Sequence, residues 1–274
     1  MVTTLPSTAP PKTSFASETR ADHEFAIRTV LSKMRADVSF PYTLDSFAEM
    51  ANYSPFHFAR LFRHMIGIPP GEFLAALRFE RAKELILRTD VSITDICFEV
   101  GFSSLGTFSS RFKQLVGVSP AELRALPEVL GPRLSRLSSI EPAAATGVGA
   151  TMRGDITSPI PHAGHLFIGL FPSAIPQGPP ISGTLHSGPG PFALHNVPDG
   201  MYRLMAALIP VTDDPIIHLL PGNLLLVGVD PLPVIVAPDV PRRRLHLPMR
   251  PLAATDPPIL TALAPLALCR AAAD

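Results

Sequence analysis

Tryptophan is absent from this chain of 274 residues, cysteine occurs only twice, and charged side chains make up 17% of it. Each scarcity excludes something. Cys97 and Cys269 lie far apart, in no CxxC pair and no Cys/His cluster, so neither a disulfide scaffold nor a zinc site is expected. Cys97 falls at an inward helical position, and Cys269 reads as a free thiol. The formal net charge is +0, which removes the broad positive field that often marks nucleic-acid binders. Long uninterrupted apolar runs are missing as well. Pro215–Ala237 is apolar, but Pro221, Gly222, Asn223, Asp230, Pro231 and Pro233 interrupt it, so buried strands are expected there rather than a membrane span. No basic region followed by an apolar run opens the chain, so no signal peptide is expected. The first twenty residues, rich in Ser, Thr, Pro and Ala, read as a disordered tail. No nucleophile elbow, phosphate-binding loop or paired-carboxylate signature is present. Catalysis, a cofactor and a membrane partner are therefore not expected, and a cytoplasmic, nucleoid-associated protein is.

What is present divides near residue 137. Residues 1–137 carry 16 Lys+Arg and 14 Asp+Glu, and residues 138–274 carry 7 and 9. Of the 32 prolines, 22 fall in the second part, with 12 of the 18 glycines. Apolar residues recur at helical spacing before the divide, and short β-type runs broken by Pro and Gly follow it. Two domains fit this length. The expected organisation is a tail over 1–20, a seven-helix domain over 21–126, a linker over 127–147, and an all-β sandwich over 148–270.

The helical part contains one pattern written twice. The first copy reads TLDSFAEMANYSPFHFARLFRHMIGIPPGEFL from Thr43 to Leu74, and the second reads SITDICFEVGFSSLGTFSSRFKQLVGVSPAELR from Ser92 to Arg124. Leu44, Phe47 and Tyr53 match Ile93, Ile96 and Phe102 at a constant offset. Phe58, Phe62, Gly67 and Pro70 then match Phe108, Phe112, Gly117 and Pro120 at an offset one greater, because the second turn has one extra residue. Ser54 followed by Pro55 is an N-cap followed by proline at the first helical position, and Gly67 and Gly117 are stop signals. Each copy predicts a helix–turn–helix, joined by a helix over Pro70–Leu87. An earlier helix over Asp22–Asp37 presents Phe25, Ile27, Val30, Leu31 and Met34 as its apolar stripe.

In each copy the second helix has two faces. Phe58, Leu61, Phe62 and Met65 turn inward towards Leu44, Phe47 and Ala48, which leaves Phe56, His57, Ala59, Arg60 and Arg63 outward. Phe108, Phe112 and Leu115 turn inward in the second copy, which leaves Gly106, Thr107, Ser109, Ser110, Arg111, Lys113 and Gln114. Such faces suit a major groove: Arg bonds guanine in bidentate fashion, hydroxyls reach bases or phosphates, and an exposed aromatic touches a thymine methyl. Double-stranded DNA is the expected partner, with the solvated face of an ordinary helical bundle as the plainer alternative.

From Phe25 to Arg124 the chain resembles the DNA-binding domain of the AraC/XylS family of bacterial transcription regulators. The residues carrying the resemblance are LDSFAEMANYSPFHFARLFRHMIGIPPGEFL, RFERAKELI and ITDICFEVGFSSLGTFSSRFKQLVGVSP. It implies recognition helices at Pro55–Ile66 and Leu105–Val116, with Phe56, Ala59 and Arg60, then Gly106, Thr107, Ser109 and Ser110, facing the bases. Leu105 and Gly106 depart from a polar helix start, so the first copy is expected to carry more of the base reading. Order also departs from many relatives, because the DNA reader here comes first. Some relatives are fused to DNA-repair methyltransferases, whose Pro-Cys-His-Arg nucleophile motif this chain lacks. A small-molecule effector, RNA polymerase and a second copy of the chain are the further candidate partners.

The second half predicts strands at Thr151–Ile156, His165–Phe171, Ile181–His186, Met201–Ile209, Leu224–Val229, Val234–Ala237 and Arg243–Met249, with Asp199–Gly200 as a turn. GTLHSGPGPFALHNVPDGMYRLMAALI resembles the transthyretin-like sandwich, in which a P-x-G-x-Y turn leads into a strand. His162 and His165 near Asp155 lack a third convergent ligand and read as loop histidines. His186 and His195 read as strand-end surface residues, and Arg242–Arg244 as charges guarding an edge strand. The remaining alternative for the whole chain is a protein-interaction adaptor.

Overall fold

The computed structural model describes residues 13–130, 149–159, 164–210, 212–220, 222 and 226–261. The N-terminal part forms α1 (Thr13–Ala36), α2 (Leu44–Met50), α3 (Pro55–Ile66), α4 (Pro70–Arg88), α5 (Ile93–Glu99), α6 (Leu105–Val116) and α7 (Pro120–Leu130). Local chemistry sets their limits. Thr43 accepts from Ser46 N and Ser46 Oγ accepts from Thr43 N, a reciprocal cap that starts α2. Ser92 starts α5 by accepting from Asp95 N at 3.1 Å, and Ser54 and Ser104 accept from His57 N and Thr107 N to start α3 and α6. Left-handed residues at Gly67 and Gly117 end α3 and α6.

Two helices run further than their sequence suggests. α1 begins at Thr13, inside the stretch expected to be a tail, once the prolines at Pro10 and Pro11 are passed. α7 continues through Pro127 to Leu130 rather than stopping before the linker. The missing N–H of Pro127 is offset by Leu130, which is 2% exposed against the helical core. The rest of the expected linker, His162 and Cys269 lie outside the described residues.

The core of this part is aromatic. Phe58, Phe62 and Phe73 are fully buried around the first helix pair, and Phe79, Phe108 and Phe112 around the second. Ring centroids lie 5.7 Å apart for Phe58–Phe62 and 5.6 Å for Phe108–Phe112, the same i,i+4 step in each copy. Two expected core residues are exposed. Phe25 sits about 200° round the helix from Ile27 and is 75% exposed. Leu44, 41% exposed, occupies the first position of α2 and lies at its rim, so Phe47 and Ala48 are the residues that α2 buries.

The β-rich part comprises β1 (Ala150–Thr157), β2 (Gly164–Phe171), β3 (Ser182–His186), β4 (Gly190–Val197), β5 (Gly200–Pro210), α8 (Pro215–Leu219), β6 (Leu226–Val229), β7 (Val234–Val236), β8 (Leu245–Pro248) and β9 (Arg250–Pro251). One sheet has the order β4-β1-β8, with β1 and β8 parallel, and the other the order β3-β2-β5-β6-β9, with β7 also on β5. Met152, Ile156 and Leu194 of the first sheet share one core with Leu166, Ile168 and Leu204 of the second. β2 is buried on both faces, which explains its unbroken apolar run. Its other face, with Phe167 and Phe171, packs against Leu252 and Ile259 of the segment after β9.

Several local expectations change here. Pro215–Leu219 is a short helix, started by Asp214 accepting from Ile216 N, and β4 is a strand absent from the expected set. Pro198–Asp199 does not close a hairpin: it carries the chain from β4 in one sheet to β5 in the other, with Tyr202 Oη donating to Pro198 O at 3.1 Å. Arg243 and Arg244 lie just before β8, an edge strand of its sheet, and both are engaged in ion pairs. Arg243 pairs with buried Asp230, and Arg244 grips both oxygens of Asp155 at 2.7 and 3.0 Å.

The two parts share a packed junction. Ile175, Leu219 and Leu260 of the β-rich part are buried in the helical core cluster. Buried Lys83 on α4 donates to Ile259 O and Leu260 O at 3.3 and 3.2 Å. Burial pushes its ammonium down to about 8, against the pull of Glu80 and Glu84. His165 and His218, both buried, face each other at 5.4 Å beside α8, which packs on α7. His165 is held below the ordinary histidine range, first by burial and then by His218. The unfolded chain takes up this proton near pH 6.5, the folded chain only at lower pH. Its stabilising contribution is therefore complete above about pH 6.5 and is lost as pH falls below that value. Urea midpoints measured at about pH 7.5 and about pH 5.5 check this: the drop expected in the wild type should shrink in His165→Gln, and equal drops would count against the pair.

Candidate nucleic-acid interface

The buried phenylalanines decide which side of α3 and α6 faces out. With Phe58 and Phe62 inward, Phe56, Arg60 and Arg63 are exposed, while Ala59 and His57 are half-buried. With Phe108 and Phe112 inward, Gly106, Thr107, Ser110, Arg111, Lys113 and Gln114 are exposed and Ser109 is half-buried. The exposed ones among the expected residues thus lie on the side of each helix away from its buried phenylalanines. Neither helix contains a carboxylate, so nothing on α3 or α6 themselves opposes an approaching phosphate. Phe56 is 78% exposed, and the Arg60 guanidinium lies over its ring at 5.9 Å. That contact places an apolar plate and a bidentate donor side by side near the start of α3.

His57 departs from the expected outward position. Its ring stacks on Tyr53 at 4.9 Å and lies 6.2 Å from His23 of α1, with Nε2 buried and without a hydrogen-bond partner. It is shared between the turn and α1 rather than displayed.

The turns before α3 and α6 fix how far these helices project. Asn52 (φ 58) and Gly101 (φ 89) occupy equivalent left-handed positions. Asparagine tolerates this conformation; at Gly101 a Cβ would also meet Ser39 O at 2.9 Å and the Arg78 guanidinium at 3.0 Å. Arg78, midway along α4, is a positioning residue that sequence reasoning missed. It donates to Val38 O at 2.8 Å and Phe40 O at 3.0 Å, and lies over the Phe102 ring. Arg124 similarly ties α7 to Ile86 O and Val91 O. Both partnerships span more than thirty residues, so no local pattern announces them. A cleft of about 610 Å³ beside the end of α3 was also not legible; Arg20, His23, Arg28 and His64 line it, with Glu24.

Comparison with known proteins agrees with this geometry. Residues 47–125 match the family model described as a helix-turn-helix domain. The chain is 33% identical over 116 residues to the HTH-type transcriptional regulator GlxA of Rhizobium meliloti, covering 42% of this chain and 36% of that protein. It is 30% identical over 98 residues to the HTH-type transcriptional activator AarP of Providencia stuartii, covering 36% of this chain and 73% of that one. A solved AraC-type transcriptional regulator from Chromobacterium violaceum is 31% identical, covering 38% of this chain and 94% of that one, with a TM-score of 0.36. The matched region is a DNA-binding helix-turn-helix module. The chain belongs to the AraC-type family of transcription regulators. It spans only about a third of GlxA, and the β-rich part lies outside the matched family model. Among the described residues no helix is long and apolar enough to cross a membrane, and no group of His, Cys, Asp and Glu is placed to hold a metal ion.

Proposed function

We propose that the protein is a sequence-specific, non-enzymatic DNA-binding transcriptional regulator, with α2–α3 and α5–α6 as two helix–turn–helix units. On this reading α3 and α6 enter successive major grooves about 34 Å apart on one side of the duplex. The observation that carries it is the matched pair of carboxylate-free helices, which expose Arg60 and Arg63 on one and Arg111 and Lys113 on the other. The β-rich part, two sheets around one core, is read as a sandwich that senses a small-molecule effector or pairs with a second copy. A cytoplasmic place on DNA follows from this role. The test is binding to promoter duplexes from the protein's own gene neighbourhood across a salt series. Strong preference among sequences, with affinity falling steeply as salt rises, is expected. Equal binding to all duplexes would leave the adaptor reading instead.

Arg60→Ala sharpens this. On this reading Arg60, which lies over the Phe56 ring on α3, reads a base, so its loss should cost about 1–3 kcal/mol and relax preference at one position. Competition with single-base operator variants measures it. A uniform loss across all sequences would make Arg60 a phosphate contact.

A further inference from the structure

The loop between β2 and β3, residues 172–181, reaches out of the β-rich part, packs on the helical core beside the end of α3 and bonds to the last turn of α6. At one end, Ala174 packs against the helical core and lies 3.8 Å from where a Cβ on Gly67, the cap of α3, would stand. At the other end, Gly178 N donates to Leu115 O in the last turn of α6 at 2.6 Å. That carbonyl is one of the four that a helix end leaves without an intrahelical partner, so the loop completes α6. Gly178 makes this approach with φ +63, in the left-handed region. Between the two ends Ile175 is buried in the helical core, 5% exposed.

The loop is held from behind. Leu260 N and Thr261 N both donate to Pro176 O, at 3.1 and 3.2 Å. The buried Thr261 hydroxyl donates to Gly178 O at 2.9 Å. The same segment accepts the Lys83 ammonium on Ile259 O and Leu260 O, and Arg35 Nη2 reaches Ala254 O at 3.1 Å. α4 is the covalent link between the two helix pairs; this network is a second link, running through the β-rich part.

We propose that the 172–181 loop, locked by Thr261 and Lys83, is a brace that fixes the separation of α3 and α6, so that the β-rich part positions both DNA-reading helices. The proposal rests on the reading of α3 and α6 as DNA readers for its consequence, but not for its geometry. Thr261 and Lys83 act through the loop and are positioning residues. A brace makes the protein intolerant of altered spacing between the two half-sites it reads, because a single added base pair shifts and rotates one half-site relative to the other.

Two measurements on the full chain test this separately. The first needs no DNA: nitroxides at the equivalent positions Arg60→Cys and Ser110→Cys, on a Cys269→Ser background, report the separation of the helices by pulsed electron resonance. A single narrow distance distribution is expected, broadened by Thr261→Val and restored by Thr261→Ser, which keeps the hydroxyl. Lys83→Met cuts the other anchor and serves if Thr261→Val does not fold. The second compares a selected operator with the same operator carrying one extra base pair between half-sites. The unlabelled wild type, without the cysteine substitutions, should lose about tenfold or more in affinity, and Thr261→Val markedly less. Distributions equally narrow in wild type and in folded variants overturn the brace. A narrow wild-type distribution that Thr261→Val broadens, in a chain showing no sequence preference, supports the brace and sinks the DNA reading alone.

Discussion

Phe108→Ala should destabilise the helical part by about 3–5 kcal/mol, the range for deleting a fully buried phenylalanine and leaving a cavity. The magnitude follows from its neighbours. Phe108 is unexposed and packs on Phe79, Phe102 and Phe112, with centroids 5.9, 5.3 and 5.6 Å away. These rings come from α4, the second turn and α6 itself, so closing the cavity would require all three to move. Chemical denaturation followed by helical circular dichroism measures the loss. Phe56→Ala is the matched control: its ring is 78% exposed, so stability should stay within about 0.5 kcal/mol of wild type. Its expected effect is on DNA affinity. Comparable stability losses in the two variants would mean that the inward and outward faces are wrongly assigned.

Gly101→Ala should cost about 2–4 kcal/mol, combining a left-handed backbone with a steric conflict. A Cβ there stands 2.9 Å from Ser39 O and 3.0 Å from Arg78 Cζ and Nη2. The carbonyl belongs to backbone, and Arg78 is held by Val38 O and Phe40 O, so neither yields readily. Gly101→Asn separates the two causes, since asparagine accepts the left-handed region but still carries a Cβ. It should fall between wild type and Gly101→Ala. Asn52→Gly, at the equivalent position of the first copy, should change stability by under about 1 kcal/mol. Thermal denaturation of the four proteins decides the order. Parity between Gly101→Asn and wild type would show that only the backbone conformation matters there.

Much of the helical part was legible because its signals are local. A serine cap, a proline behind it, phenylalanines four residues apart and a glycine stop define α3 between Ser54 and Gly67, and the duplicate repeats all but the proline in α6. The exposure of most outward residues then follows from helical geometry; Ala59, Ser109 and His57 are half-buried, and Tyr53 and His23 draw the His57 ring inward. The β-rich part was less legible for a physical reason. β4 begins Gly-Pro and contains His and Asn, so it does not read as a strand; its pairing with β1 across some forty residues supplies what the sequence lacks. Arg244 meets Asp155 across 89 residues and Lys83 meets Leu260 across 177, and no spacing rule reaches that far. The brace was invisible for the same reason. A proline-rich loop looks like a connection until its carbonyls and amides have addresses.

Arg78 has a consequence for how such proteins can be recombined. Its guanidinium belongs to α4, yet it satisfies carbonyls ahead of the first helix pair while lying against Gly101 and Phe102 of the second. The duplicated copies are therefore not interchangeable cassettes. A chimera that grafts α5–α6 from a relative onto this chain must bring a glycine at 101 and an aromatic at 102, or surrender the arginine that orients its first half. The natural unit of exchange is the whole pair with α4 between them, and seams drawn inside it cut through a shared residue.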